Sequence, residues 1–219
     1  MNRDEFCRLH WMYYLALERD FLGVERYISF DFGDNYLYDS HEVKDFGNSK
    51  TFSNEFIKQY QAICSEVDVI LKGICKELEG VDADTMPKYT NVVLEHWSDL
   101  PEQKVKMYDI ELQPFKNWAS ESQSQYRSPD WWSSYNQVKH ERLGNFKKAN
   151  LKNVANALAG LYILESYFVR FIGNRDDVED VPNDVSKLFE LVNFQTNDIV
   201  VGYETYLTKP KDIQALFNK

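Results

Sequence analysis

The chain has few of the residues that break up or cross-link a fold: three cysteines, six prolines and nine glycines in 219 residues. Cys7, Cys64 and Cys75 show no Cys-x-x-Cys spacing. An odd, sparse set argues for reduced, buried thiols and against a disulfide framework or a thiolate zinc site. Nothing beside any of them would depress a thiol pKa, so no catalytic cysteine is expected. Three of the four histidines, His10, His41 and His96, lie on separate elements without metal-ligand spacing. No metal or other cofactor is implied. The chain also lacks a Gly-rich phosphate loop, a nucleophile elbow and a dinucleotide fingerprint, which removes the sequence support for three large enzyme classes.

Positive charge is scarce. With 25 Lys and Arg against 35 Asp and Glu, the formal net charge is −10. A uniformly acidic surface repels a phosphate backbone, so a nucleic-acid role requires a local basic patch. Long apolar runs are missing as well, and mean hydropathy is −0.54. No membrane association is expected. The opening Met-Asn-Arg-Asp-Glu-Phe-Cys lacks the basic and apolar regions of a signal peptide, so the expected compartment is the cytoplasm.

Apolar residues make up 43 % and aromatics 15 %, enough to fold 1–219 as a single domain. Asp4 to Ile28 reads as a long helix with Phe6, Leu9, Tyr13, Leu17, Phe21, Val24 and Ile28 as its buried stripe. Phe52 to Glu79 reads as a second, with Ser53 as N-cap, Gly80 as terminator and an inward stripe of Phe56, Tyr60, Ile63, Val67, Ile70, Ile74 and Leu78. A shorter helix is predicted near Pro87 to Trp97. Val105 to Leu112 alternates like a strand, with Asn35–Tyr38 or Ile199–Tyr206 as its expected partner. Ser128 and Pro129 open another helix that Gly144 ends. Asn145 then caps a helix reaching about Ile172, apolar nearly all round and therefore central, with Ala155, Ala159 and Gly160 allowing a close neighbour. An acidic loop over Asp176–Asp184 and a short helix over Val185–Val192 complete a mainly α, antiparallel helical bundle with a small β element.

Chemistry concentrates in Pro129 to Leu143. On this helix Asn136 and His140 stand four apart, hence on one face, with Lys139 and Arg142 beside them. An Asn next to a His can fix the imidazole for acid–base work; the same pair can simply hold a helix junction. Lys139, Arg142, Lys147, Lys148 and Lys152 face Glu141 alone between Gln137 and Lys152, which supplies the basic patch that an acidic chain would need. Trp131 and Trp132 offer rings for base stacking, or for the core.

The block Trp131-Trp132-x-x-Tyr135-Asn136-x-Val138-Lys139-His140, followed by Ala149 to Tyr162, resembles HEPN-like helical proteins, and more narrowly a bacterial family carrying that block. Ser53-Asn-Glu-Phe56 and Ser65 to Lys72 share the resemblance, which spans roughly Phe52 to Phe171. It implies a HEPN-like core over about 52–172, a helix 4–28 packed on it and a C-terminal extension 174–219. HEPN ribonucleases use an Arg, a following polar residue and a downstream His at a two-fold dimer interface, and cleave RNA without metal. On that pattern His140 and Asn136 are the catalytic pair, and Lys139, Arg142, Lys147, Lys148 and Trp132 contact RNA. Tyr135 stands where the Arg belongs and supplies no cation, which implies a degenerate nuclease or a non-catalytic interaction module. The partners implied are RNA, a cognate antitoxin or defence protein, and a second copy of the chain, in bacterial defence or stress response.

Overall fold

The computed structural model describes residues 1–33, 35–38, 41–45, 47–120 and 125–196, with 35–38 and 41–44 described as backbone. The fold is mainly helical, with a small three-stranded antiparallel sheet. Two 26-residue helices, α3 (Asn54–Glu79) and α7 (Leu151–Asp176), form its centre and pack extensively on each other. The first helix runs through α1 (Arg3–Phe6), a π-helical turn (Cys7–Trp11) and α2 (Met12–Val24), and lies against both. A two-stranded hairpin, β1 (Asn35–Tyr38) and β2 (His41–Lys44), precedes α3; α4 (Met86–His96) packs on α3.

The α3 helix follows its sequence closely. Ser53 Oγ accepts from Phe56 N at 3.1 Å, Gly80 closes the helix at φ 70°, and Phe56, Tyr60, Ile63, Val67, Ile70 and Ile74 are fully buried. The first helix does not. Leu9 and Tyr13, expected inside, are 51 % and 44 % exposed, while His10, Trp11 and Tyr14 are buried. The π turn is the physical reason: it widens the repeat locally, so His10, Trp11 and Tyr14 turn inward in place of Leu9 and Tyr13, while Leu17, Phe21 and Val24 are buried as expected.

The strand expected over Val105–Leu112 is a hairpin, β3 (Val105–Met107) and β4 (Ile110–Leu112), turning at Tyr108 with φ 56°. Its other neighbour is β5 (Phe189–Leu191), giving the order β4-β3-β5. Thus the β1 segment is not the partner, and the Ile199–Tyr206 alternative lies outside the described residues. The helix expected over Val185–Val192 is absent. The backbone N–H groups of Lys187 and Leu188 donate to the Glu18 carboxylate at 3.0 and 3.3 Å, and that of Phe189 donates to Ser186 Oγ at 2.8 Å. Phe189–Leu191 instead pairs with Val105–Met107, and that ladder takes the segment into the sheet.

Helix α5 (Asp130–His140) ends four residues before Gly144, not at it; a short turn α6 (Arg142–Asn145) and a 3-10 turn (Phe146–Lys148) follow. The N-cap of α7 is Asn150 rather than Asn145. Its Oδ1 accepts from Asn153 N at 3.0 Å, while the N–H groups of Leu151 and Lys152 donate to Thr51 and Ser49 carbonyls at 2.9 and 3.0 Å. The helix start is therefore fixed by the strand-like segment before α3, a partner remote in sequence.

On α7, Ala155, Ala159 and Gly160 are buried, and a Cβ on Gly160 would lie 2.9 Å from Trp131 Cζ2. Small residues here let α5 and its indole approach. Ala159→Leu is expected to overpack this seam and cost about 1–3 kcal/mol, read as a lower denaturation midpoint; a midpoint equal to wild type would contradict the packing.

Candidate functional site

Helix α5 sits on α3 and α7 through an aromatic face. Trp131 and Trp132 are 2 % and 8 % exposed and Tyr135 is 7 % exposed. Trp131 Nε1 donates to Pro114 O at 2.9 Å, and the Tyr60 hydroxyl donates to Trp131 O. Trp132 packs edge-on to Trp131 and tilted against Tyr135, whose ring meets Tyr60 edge-on at 5.7 Å. The expectation that Trp132 stacks on RNA is corrected: both its faces belong to the protein interior. Burial, with Cys64 and Asp68 nearby, raises the Tyr135 hydroxyl pKa, so this side chain is a neutral core group.

The opposite face of α5 is open. Lys139, His140 and Arg142 are exposed, and Asn136 is half-buried. Lys139 Nζ lies 5.8 Å from the centre of the Tyr135 ring. Lys147 is exposed, Lys148 is half-buried and donates to Gln137 Oε1, and Lys152 is exposed on the first turn of α7. The shared face of Asn136 and His140 follows from their spacing, but among the described residues neither side chain makes a hydrogen bond, to the other or to the fold. The reading in which the pair locks a helix junction loses its contacts. That junction is held instead by Asn150 Nδ2 on Lys147 O at 3.0 Å and Asn153 Nδ2 on Lys148 O at 2.8 Å.

Apolar side chains accompany the charges. Leu143 is 96 % exposed, the highest value among the large apolar residues described, and Phe52 meets Phe146 edge-on at 5.3 Å with Phe52 38 % exposed. A surface that mixes lysine, arginine, an unconstrained imidazole and a bare leucine can neutralise phosphate and bury a small apolar contact. No thiol serves it: the three cysteines are buried, and burial raises the pKa of each, that of Cys75 to about 12.

Sequence reading missed a second polar cluster, inside the bundle. His10 Nδ1 is 2.9 Å from Glu66 Oε1, both residues being buried. Glu165 on α7 is wholly buried, and neither of its carboxyl oxygens has a hydrogen-bond partner among the described residues. Burial first, and then the neighbouring Glu66, hold its pKa well above the usual carboxylate range. The available signal was Glu165 itself, an acid within the apolar run from Leu161 to Phe168. Comparisons with protein-family models, curated proteins and solved structures gave no significant match.

Proposed function

We propose that this chain is a HEPN-like helical protein that associates with RNA through the surface from Lys139 to Lys148, and that its ribonuclease chemistry is degenerate. The observation that carries the reading is electrostatic: exposed Lys139, Arg142 and Lys147 collect around His140 on a chain of net charge −10. Cations spent in one place on an acidic protein mark where a polyanion can approach. Tyr135 decides between binding and cutting. A buried neutral phenol offers the scissile phosphate no charge, and Asn136 does not hold the His140 ring. An acid–base group contributes its usual 10²–10⁴-fold, roughly, only when it is positioned against the proton it moves.

The test is a pair of assays on purified protein. Single-stranded RNA should be bound and left intact in the absence of metal. His140→Ala should leave the melting temperature unchanged, because the exposed ring makes no hydrogen bond whose loss would cost stability. Metal-independent cleavage that disappears in His140→Ala at an unchanged melting temperature would instead establish an active nuclease.

The same surface favours a second copy of the chain as partner. Leu143 gains by leaving water, and two-fold pairing would bring two His140 regions together. Light scattering at high protein concentration is expected to give a dimer mass that Leu143→Glu returns to monomer; a wild-type monomer would contradict this reading.

A further inference from the structure

On the far side of the first helix, the segment after α7 folds back over Trp11 and Tyr162. Arg3 donates from Nε and Nη2 to Val181 O at 3.1 and 2.7 Å, and Trp11 Nε1 donates to Asp184 O at 2.8 Å. Between this strap, α7 and β5 lies a cavity of about 350 Å³, within the usual range for small-molecule sites. Its aromatic wall is Trp11, Tyr162, Phe189 and Phe194. Tyr162 packs against Trp11 at 6.0 Å and Phe189 at 5.7 Å between ring centres. The carboxyl-bearing residues on it are Asp180, which is buried, and Asp184 and Glu190, which are exposed. Among the described residues no lysine, arginine or histidine lines it.

We propose that this cavity binds a small organic cation, a quaternary ammonium or protonated amine with an apolar body. Aromatic faces attract cations through their quadrupole, and carboxylates at the mouth add long-range attraction for the same sign. The protein already uses the device here: the Arg170 guanidinium carbon lies 4.1 Å from the centre of Phe194 and 4.5 Å from that of Tyr167. Arg170 also donates to Gln195 O, and Arg3 is held on Val181 O, so both guanidinium groups are fixed outside the cavity lining. The Tyr162 hydroxyl is raised in pKa by burial and then by Glu18 and Glu190, so this wall lies in the field of two carboxylates. An anionic ligand would meet that potential as repulsion.

Choline and its uncharged isostere 3,3-dimethylbutan-1-ol test the role of the charge, because they differ in charge and hardly in shape. With the full chain, the choline N-methyl resonance should shift upfield by ring current and saturate. The isostere should bind on the order of tenfold more weakly. Phe194→Ala and the exposed Glu190→Lys should each weaken choline several-fold in protein whose circular dichroism shows it folded. No saturable shift with choline up to about 10 mM, equal binding of the isostere, or choline binding indifferent to Glu190→Lys would overturn the proposal. It is independent of the RNA surface: its failure leaves the Lys139–Lys148 reading untouched.

Discussion

Glu18→Ala should be among the most destabilising single substitutions in the chain, costing about 3–5 kcal/mol. Glu18 is 2 % exposed, yet its carboxylate accepts from the Tyr14 hydroxyl at 2.7 Å, from Ser186 Oγ, and from the N–H groups of Lys187 and Leu188 at 3.0 and 3.3 Å. Four donors converge on one acid, as the transfer of a carboxylate out of water demands. Alanine would leave the wholly buried Tyr14 hydroxyl with Ser186 Oγ as its one remaining partner, at 3.0 Å, and release the segment that leads into β5. The loss should appear as a lower chemical-denaturation midpoint together with faster amide exchange in Ser186–Leu191. Glu18→Gln tests the cause, since the amide keeps one acceptor oxygen and should lose less. Equal losses for alanine and glutamine would show that the retained acceptor oxygen contributes nothing, and would contradict the hydrogen-bonding account.

Glu165→Met should act in the opposite direction and stabilise the protein, by about 1–4 kcal/mol near neutral pH. The wild-type carboxyl is buried without a partner and faces Glu66, itself paired with His10; Cys7 is also close enough to feel its charge. A flexible thioether of similar volume keeps the contacts and removes the polar group. The pH dependence carries the sign. The folded-state pKa of Glu165 is raised above its unfolded value by burial and then by Glu66. The folded state thus binds the proton more tightly, and stability falls as pH rises from the unfolded carboxylate range toward the folded value. The advantage of Glu165→Met should be smallest at acid pH and widen as pH increases. Thermal melts of both proteins across that range test it; a constant gap, or a less stable variant, would mean that Glu165 has a partner in solution.

Helix α3 was legible in the sequence because everything that makes it is local: a serine cap, a terminal glycine and an unbroken apolar repeat. The first helix was legible as a helix, and in its facing at Phe6, Leu17, Phe21 and Val24 but not between Leu9 and Tyr14. Its stripe after Phe6 depends on the π turn at Cys7–Trp11, which brings His10 to Glu66 and Trp11 to Asp184 O, partners far away in sequence. The start of α7 and the strand β5 were misplaced for the same kind of reason. Thr51 and Ser49 carbonyls fix the one, and pairing with β3 fixes the other.

The candidate surface divides similarly. Lys139, His140, Arg142 and Lys147 lie exposed where the charge pattern put them, because leaving water would cost each of them much. Trp132 was not legible: two adjacent indoles look alike in a sequence, and only Trp131, Tyr135 and α7 show that both point inward. The buried acids Glu18, Glu66 and Glu165 were invisible to helical periodicity, which treats a charge within an apolar stripe as noise.

The salt dependence of RNA binding tests the central claim most directly. Wild type and Lys139→Ala/Arg142→Ala/Lys147→Ala should be titrated against one single-stranded RNA over a range of salt concentrations. If these three cations meet phosphates, each contributes roughly 0.7 to the slope of log affinity against log salt, so the triple variant should be shallower by about 2 and weaker at low salt. Wild type that fails to bind at low salt, or a triple variant with the wild-type slope and affinity, would contradict the account.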